Sequence, residues 1–415
     1  MNKLRVDIGF GVQAISRIGI ANLTRMAFHG EDLRPLWHRL MAAATDDAAG
    51  AGMAMDLSII SQLLGDRETG LAIQREALDH QRLFASPCAT TQPRLRVLAL
   101  AAAMDIGGNT PLEFLLEKSD IELKTLYIVP GVPLPDPLPA HDVAIVTVPD
   151  DDQTREVMAF LDSVAARWPR PLLNRPSRIG DLGRDRLYRR VSSIRGLDIP
   201  MTARIARAQF SAIAAGALPL AGVLPDGVFP LIARPVGSHA GHGLDRVECA
   251  SDIPRYLSTQ AQDDFFISRF VDYSSPDGLF RKYRIVAIAG EPFACHMAIS
   301  DQWKVWYLNA EMALSVEKRV EEAVFMEFFD DEFARRQSGP LRELIGRIGL
   351  EYLTIDCAET KDGKLLVFEA DHAAIVHDMD PPNVYPYKSK QMNKIFDAFV
   401  AMIGARAQLS ASQAA

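Results

Sequence analysis

The pattern of hydrophobic and polar residues changes character twice along the chain. From residue 16 to about residue 84, alanine and leucine recur at helical spacing without a run of β-branched residues, which predicts helices. Apolar runs at 95–103, 126–129 and 143–148 then follow one another at the spacing of βα units, which predicts a small parallel sheet. After residue 175, strand-like and helical patterns are mixed, which predicts an α+β region.

Proline-rich connections at 130–139 and 169–176 accompany these changes. The predicted division is a helical region at 1–90, an α/β domain at 91–174, an α+β domain at 175–405 and a tail at 406–415. Leu64-Gly65 and Ala77-Leu78 resemble part of one tetratricopeptide repeat. Because a lone repeat cannot bury its own apolar face, a repeat array and a plain helical region both stay open.

The first apolar run ends in the turn 105–111, where Asn109 or Thr110 is predicted to cap a helix that begins near Pro111. The turn contains Gly107 and Gly108. It lacks both the dinucleotide-binding fingerprint and the lysine of a P-loop, so it is only weak evidence for a nucleotide site.

The charge balance of the chain indicates which classes of binding partner to expect. The chain has 45 lysine and arginine residues against 53 aspartate and glutamate residues, a formal net charge of −8, without a block of like charges. We therefore expect no nucleic-acid partner and no membrane association. The apolar stretch 210–224 is shorter than a membrane span, which needs about 18 residues. Four scattered cysteines without metal-binding spacing predict free thiols in a cytoplasmic protein: Cys88, Cys249, Cys295 and Cys357.

The segment 351–371 predicts a β-hairpin, because two strand-like runs flank Asp362-Gly363. A two-residue turn there places Asp356 opposite Glu369 on one face of the hairpin, and Asp371 falls on the same face. Three neighbouring carboxylates raise one another's pKa unless a cation lies among them. Oxygen ligands of this kind favour Mg²⁺, which usually takes one or two carboxylates together with substrate phosphates. The alternative is a solvated acidic strand face.

A second candidate site is a glycine-rich loop between two strands, with Gly237, Gly241 and Gly243. Glycines allow backbone N–H groups to approach an anion, and Arg234 at the end of the first strand is placed to reach the same phosphates. The alternative is a mobile hairpin loop. His239 and His242 also lie in this loop, but no carboxylate or third histidine nearby supports a metal site there.

In combination, these segments resemble the ATP-grasp superfamily from about Leu172 to Phe399, the fold of glutathione synthetase, D-alanine–D-alanine ligase and ribosomal-protein glutamate ligase. The matching motifs occur in the family's order: Asp185-Arg-Leu-Tyr, Gly196-Leu-Asp-Ile-Pro, the Arg234-Pro strand with its glycine loop, Phe266-Ile-Ser-Arg-Phe-Val, Lys282-Tyr-Arg-Ile-Val, Asp356, and Glu369-Ala-Asp371.

The resemblance implies a domain of two α+β subdomains, with the glycine-loop subdomain at about 200–272, preceded by a pre-ATP-grasp α/β domain. It implies an ATP- and Mg²⁺-dependent ligase that joins a carboxylate to an amine, or to a thiol, through an acyl phosphate. The implied ATP-binding residues are Arg186, Arg234, Gly237, Ser238, His239, Gly241, Gly243, Phe270, Val271 and Asp272. The implied Mg²⁺ ligands are Asp356, Glu369 and Asp371, and Arg284 is the implied catalytic residue, stabilising charge on the transferring phosphoryl group.

The sequence departs from the family pattern at several positions. Arg186 and Arg234 replace the common lysines, which keeps the charge and changes the geometry. Arg269 replaces a common glutamate beside the adenine, so Asp272 becomes the candidate for the ribose contact. Asp371 replaces an asparagine and adds a negative charge, which a second Mg²⁺ could neutralise. The number of bound Mg²⁺ ions, one or two, therefore stays open.

Polar residues among aromatic ones predict a substrate pocket, with ordinary half-buried polar residues as the alternative. They are His296, Lys304, Tyr307, Asn309 and His377. The expected substrates are a small-molecule or peptide carboxylate and an amine. A protein or peptide partner at the helical N-terminus and a homo-oligomer also stay open. Two other functions compete with the ligase: a non-catalytic ATP-binding scaffold and a small-molecule kinase on the same fold.

Overall fold

A computed structural model describes residues 14–44, 50–238 and 241–414. The chain forms two compact units, one comprising residues 1–176, 372–379 and 393–415, the other comprising residues 177–371 and 380–392.

The first unit is built on a six-stranded sheet with the order β1-β2-β4-β3-β5-β6. All neighbours are parallel except β2 and β4. Its strands are β1 (Ile15–Ser16), β2 (Leu83–Ala85), β3 (Leu95–Ala102), β4 (Ile121–Ile128), β5 (Val143–Val146) and β6 (Leu172–Leu173). Its helices are α1 (Ile20–Phe28), α2 (Arg34–Ala43), α3 (Ala51–Leu63), α4 (Arg67–His80), α5 (Leu112–Leu116) and α6 (Arg155–Ala165).

The helices expected before residue 90 are present, but this region also contributes β1 and β2 to the sheet. These strands of two and three residues are too short to show a strand period. Met55 of α3 and Leu78 of α4 pack in one core with Phe84, Ala101 and Tyr127 of the sheet. The helical region and the sheet therefore share one core.

The turn after β3 differs from its prediction. Asn109 does not cap α5: its side chain bonds both backbone groups of Ala102, at 2.8 and 2.9 Å. The Thr110 hydroxyl donates to the backbone carbonyl of His372 at 2.9 Å. Pro111 is itself the N-cap, so α5 begins one residue later than its proline. One local and one long-range side-chain bond to the backbone thus replace the predicted cap.

The second unit contains two sheets, one with the order β10-β9-β11-β8 and one with the order β13-β12-β14-β15-β7. Its strands are β7 (Leu197–Asp198), β8 (Thr202–Ala206), β9 (Leu231–Pro235), β10 (Asp245–Val247), β11 (Asp264–Arg269), β12 (Phe280–Ile288), β13 (Glu291–Ser300), β14 (Tyr352–Glu359) and β15 (Leu365–Asp371). Its helices are α7 (Pro176–Ile179), α8 (Arg184–Val191), α9 (Arg207–Ala214), α10 (Ile253–Ser258), α11 (Val316–Glu327) and α12 (Ser338–Ile348).

Single-turn 3₁₀ segments at Gly180–Leu182, Leu220–Gly222, Ala250–Asp252, Tyr307–Ala310 and Met312–Leu314, and a π segment at Asp330–Ala334, join these elements. The last helix, α13 (Lys388–Ala414), extends through the residues predicted as a tail. Within the part of the chain that the structure describes, no helix has both the length and the apolar character of a membrane span.

The hairpin β14–β15 has the predicted pairing of Asp356 with Glu369, but a different turn. Glu359 pairs with Leu365, and Thr360 and Lys364 close a three-residue loop in which Gly363 has a φ of 79°. A register shift between Asp356 and Cys357 then restores the predicted pairing. The predicted register near the turn is therefore wrong by one residue, and the bulge corrects it at the carboxylates.

The predicted fold class is confirmed. A parallel α/β sheet with helices is followed along the chain by two α+β sheets in one unit. The five-stranded sheet is antiparallel except for the pair β15–β7.

Candidate functional site

A cavity of about 180 Å³ lies in the second unit between its two sheets. Side chains of β9 and β11 line one wall, and side chains of β12 and β15 line the other. The apolar lining includes Ile199, Ile232, Phe266, Phe270, Val271, Tyr273 and Trp303. The charged lining consists of Arg184, Arg234, Arg269, Lys282, Lys304 and Glu369. An apolar cavity with a few charged groups has the character of a small-ligand site.

The acidic hairpin is held by cations of the protein itself. Arg284 donates two hydrogen bonds to Asp356, at 2.7 and 3.0 Å, and the Lys282 ammonium lies 2.7 Å from the same carboxylate. Arg284 and Asp356 are paired across β12 and β14, which fixes this contact in the strand register. Arg184 at the start of α8 forms an ion pair with Glu369. Each of the two carboxylates therefore has its own cation.

These contacts decide the ionisation of both acids. Burial alone raises the pKa of Asp356, but the charges of Arg284 and Lys282 outweigh burial and hold that pKa well below its usual value. Burial likewise opposes ionisation of Glu369, and Arg184 reverses the effect, so its pKa is also lowered. Both side chains are carboxylates at neutral pH.

The three predicted Mg²⁺ ligands differ in their placement. Asp356 and Glu369 are hard oxygen donors facing each other across one strand pair, which suits this ion. Among the described residues, however, no three His, Cys, Asp or Glu side chains converge closely enough to hold a metal by themselves. Asp371 lies opposite Thr354, whose hydroxyl donates to the Asp371 backbone carbonyl at 2.7 Å. Asp356 and Glu369 thus fit Mg²⁺ only if both bind the ion and oxygen atoms of a bound small molecule supply the remaining donors.

The glycine loop begins at the charged end of the cavity. The Arg234 guanidinium bonds the hydroxyl of Ser238 at 3.2 Å and also its backbone carbonyl. Burial, with Arg184 nearby, lowers the pKa of Arg234 to about 10, so it keeps its charge at neutral pH. Gly237, Gly241 and Gly243 all have positive φ. His239 lies outside the described residues.

Gly243 is the most constrained of these glycines. A Cβ atom added there comes within 2.6 Å of both Pro235 and the Gln260 side chain. The Tyr256 hydroxyl donates to the Gly243 carbonyl at 2.9 Å. The loop is thereby fastened close to the end of β9, which carries Arg234.

Lys304, predicted on the substrate side, lines the same cavity as Arg234. Its ammonium donates to the Leu244 carbonyl at 2.8 Å. Its Cε atom lies 3.3 Å from the point where a Cβ atom added to Gly241 would be. Phe270 and Val271 also line the cavity, but the Phe270 N–H donates to Pro230 at 2.9 Å. In this segment, the Phe270 carbonyl and the Val271 backbone groups are therefore the ones available to hydrogen-bond a ligand in the cavity.

Arg269, one of the departures from the family pattern, forms ion pairs with two aspartates. It lies 2.6 Å from Asp198 and 3.3 Å from Asp226. Asp272 does not line the cavity: its carboxylate is 2.7 Å from Lys361 near the hairpin tip. Although partial burial acts against it, the bond from Lys361 lowers the pKa of Asp272 to about 2.

Three other predicted residues lie away from the cavity. Arg186 donates to the Gly180 carbonyl and is not part of the lining, whereas Arg184, two residues earlier, is. Asn309 accepts from the Trp306 N–H and donates to the Lys304 carbonyl, which shapes the loop. His377 belongs to the first unit, where its ring packs against Phe28 and Phe114.

His296 and Tyr307 belong to a buried polar cluster that sequence reasoning missed. Its centre is Glu322 of α11, which accepts from Tyr387 at 2.6 Å, from Tyr307 at 3.1 Å and from the Met297 N–H at 3.1 Å. Lys388 lies 2.7 Å from Asp380 and 4.0 Å from the centre of the Tyr307 ring. No local spacing signals this cluster, because its members come from three separate segments, at 296–307, at 322 and at 380–388.

The His296 ring packs against Tyr307 with ring centres 4.8 Å apart, and its Nδ1 is buried without a hydrogen-bond partner. Burial, together with Arg284 and Lys388, keeps the pKa of His296 well below its usual value. The imidazole is therefore neutral at pH 7.

No family model and no curated protein matches the chain. Its fold is similar to several solved structures. VanG D-Ala:D-Ser ligase from Enterococcus faecalis is 10% identical, with a TM-score of 0.44, over 75% of this chain and 100% of that one. D-alanine–D-alanine ligase from Bacillus anthracis, complexed with ATP, is 11% identical, with a TM-score of 0.44, over 76% and 98%.

A RimK domain ATP-grasp protein from Sphaerobacter thermophilus is 16% identical, with a TM-score of 0.40, over 74% and 99%. These similarities concern the general fold alone. In this chain, the two sheets of the second unit enclose the cavity described above.

Proposed function

We propose that this protein is an ATP-dependent carboxylate–amine ligase that works through an acyl phosphate and uses Mg²⁺. The observation that carries the proposal is the cavity between the two sheets, where Arg184, Arg234 and Lys282 meet Glu369 beside an apolar wall. Three cations at one end suit a polyphosphate, and the apolar wall suits a purine ring.

The proposed roles follow from position. Arg234 and the glycine loop bind phosphates at the end of β9, and Arg184 and Lys282 bind them from the opposite wall. Asp356 and Glu369 are the candidate Mg²⁺ ligands. When bound, the ion supplies additional positive charge to the phosphates. Arg284, next to Lys282 on the same face of β12, stabilises charge on the transferring group.

The proposed reaction has two steps. The substrate carboxylate attacks the γ-phosphorus of ATP, and ADP leaves. The amine then attacks the carbonyl carbon of the acyl phosphate, inorganic phosphate leaves, the nitrogen loses its proton, and an amide bond remains. Positioning and fixed charges carry most of such catalysis, which agrees with the number of cations placed at the cavity.

The experiment is an ATP titration by calorimetry with and without Mg²⁺, on the wild type and on Glu369→Gln. Asp362→Asn, at the exposed hairpin tip, is the matched control. We expect micromolar binding that depends on Mg²⁺ and weakens in Glu369→Gln but not in the control. Release of ADP and phosphate is then measured with panels of amino acids and peptides.

The outcomes separate the candidate functions. Turnover that requires a carboxylate and an amine, with an amide product, supports the ligase. A stable phosphorylated product without an amide indicates a kinase. Nucleotide binding without turnover for any pair indicates a scaffold, for which the saturation of Asp356 by Arg284 and Lys282 is the structural argument. Absence of ATP binding rejects all three.

A further inference from the structure

The solvent-facing side of α11 is a continuous apolar stripe. Val316, Val320, Val324 and Phe328 follow one another at intervals of four residues, with exposures of 59%, 57%, 45% and 49%. Leu314, just before the helix, is 81% exposed. Single exposed hydrophobic residues are ordinary, but a contiguous row of them marks an interaction surface. These five residues are called the α11 stripe below.

The helix that carries the α11 stripe is held firmly from behind. Glu322 and Met326 on its opposite face are buried, and Glu322 accepts hydrogen bonds from β13 and from two tyrosines. Ser315 caps the first turn by accepting from the Lys318 N–H at 3.2 Å. Because the inner face has its own partners, the stripe cannot turn inward to bury itself.

The spacing of the stripe indicates what it fits. Residues at i, i+4, i+8 and i+12 form one ridge of the helix, inclined to its axis. Such a ridge packs into the grooves beside the same ridge of another helix, with the axes crossing at about −50°. The surface is thus complementary to itself, which is the requirement for a two-fold interface between identical chains.

Charge along the helix supports an antiparallel pairing. Glu317, Lys318 and Arg319 carry one net positive charge at its start, and Asp330, Asp331 and Glu332 carry three negative charges just beyond its end, whereas Glu327 is already paired with Lys390. This distribution opposes the helix dipole, which favours acids at the start and bases at the end. In an antiparallel pair, the start of each helix approaches the acidic end of the other.

The area is also sufficient. At the exposures given above, the stripe presents on the order of 500 Å² per chain, so a pair that covers it completely buries about 1,000 Å², which reaches the lower limit for a specific interface. We propose that α11 forms a two-fold interface with α11 of a second copy of this chain. The interface is independent of the proposed function, because it lies on the face of α11 opposite Glu322 and uses no residue of the cavity.

The test is sedimentation of the full chain over a wide concentration range. We expect a dimer of twice 45.7 kDa. Val320→Glu places two like charges at the middle of the interface, and we expect it to raise the dissociation constant at least about 100-fold, as loss of a central contact does. The matched control is Val228→Glu, because Val228 is 61% exposed outside α11. Circular dichroism verifies that both variants are folded.

A cross-linking measurement supplies an independent readout. In a Cys249→Ser background, Val320→Cys is expected to form a disulfide with itself across the two-fold axis on mild oxidation, and Val228→Cys is not. A chain that stays monomeric at every concentration, whatever else the stripe binds, overturns the proposal. So does a dimer unaffected by Val320→Glu, or an open-ended assembly instead of a dimer.

Discussion

Asp356 and Glu369 lie directly opposite each other on neighbouring strands, and each is paired with a different cation: Asp356 with Arg284 and Lys282, Glu369 with Arg184. Facing carboxylates destabilise a strand pair unless positive charge lies between or beside them. In this hairpin the protein supplies that charge, so the fold of the site does not require a metal ion.

This arrangement has a consequence for ligand binding. Arg184 and Lys282 line the cavity proposed for ATP while they hold the two carboxylates. Phosphates entering the cavity compete with Glu369 and Asp356 for the same cations. Nucleotide binding therefore changes the charge around both acids, and a dependence of ATP affinity on Mg²⁺ reports on this exchange.

The first prediction concerns the stability of the Asp356 cluster. In Asp356→Asn, two largely buried cations lose their carboxylate, and breaking a buried ion pair costs about 3 kcal/mol or more. We expect urea unfolding to show a loss of that order. Asp362→Asn removes an exposed pair with Lys364, which solvent screens, and is expected to leave the stability nearly unchanged. Equal stability of the two variants would contradict the buried cluster.

The second prediction distinguishes two neighbouring arginines. Arg184 lines the cavity, whereas Arg186 bonds the Gly180 carbonyl away from it. A charged hydrogen bond is worth about 1.5–3 kcal/mol, so Arg184→Met should weaken ATP binding by roughly 10-fold or more. Arg186→Met should change it less than about 2-fold. Calorimetry measures both, and the reverse order would restore Arg186 as the phosphate ligand.

This pair of arginines also shows how far the sequence could predict the site. The motif covers residues 185–188 and leaves Arg184 just outside it, and residues two apart on a helix point in very different directions. Which of them faces the cavity depends on where α8 begins, and its N-cap, Gly183, makes no side-chain bond that would mark the start. The opposition of Asp356 and Glu369, by contrast, was predictable, because strand pairing has a strict two-residue period.

Other features could not be predicted from the sequence, for a different reason. The cluster around Glu322 joins α11, the segment after β13 and the start of α13, and only tertiary packing brings them together. The hairpin bulge left no signal either: Phe368, the residue of β15 that has no pairing partner on β14, is as strand-like as its neighbours. Short strands such as β1 exist because the sheet offers them a partner, not because of their own pattern.

The third prediction tests the glycine loop. In Gly243→Ala, the added Cβ is within 2.6 Å of Pro235 at the end of β9, and the φ of 66° is strained for alanine. Gly237→Ala has a similar φ of 74° but open space around the Cβ. We expect Gly237→Ala to cost about 1 kcal/mol from backbone strain alone, and Gly243→Ala to cost more and to weaken ATP binding through Arg234. Thermal unfolding and calorimetry measure the two effects.

The fourth prediction concerns pH and the first unit. Asp56 is buried and accepts from the N–H groups of Ile18 and Gly19, at 2.7 and 3.1 Å. Burial outweighs these bonds and the nearby Arg17, and raises the pKa of Asp56 from 3.8 to about 6. The folded state therefore binds the proton of the Asp56 carboxyl more tightly than the unfolded state does. The stability that protonation of Asp56 contributes is complete below pH 3.8 and is lost as the pH rises through 6.

A shift of this size corresponds to about 3 kcal/mol, since one pKa unit is 1.36 kcal/mol. The measurement is the free energy of unfolding of wild type minus that of Asp56→Asn, from urea titrations at several pH values. We expect this difference to fall by about 2 kcal/mol of that total between pH 4 and pH 6.5 and to level off above about pH 7. The same difference for the exposed Asp79→Asn should show no such step, and a flat curve for Asp56→Asn would contradict the raised pKa.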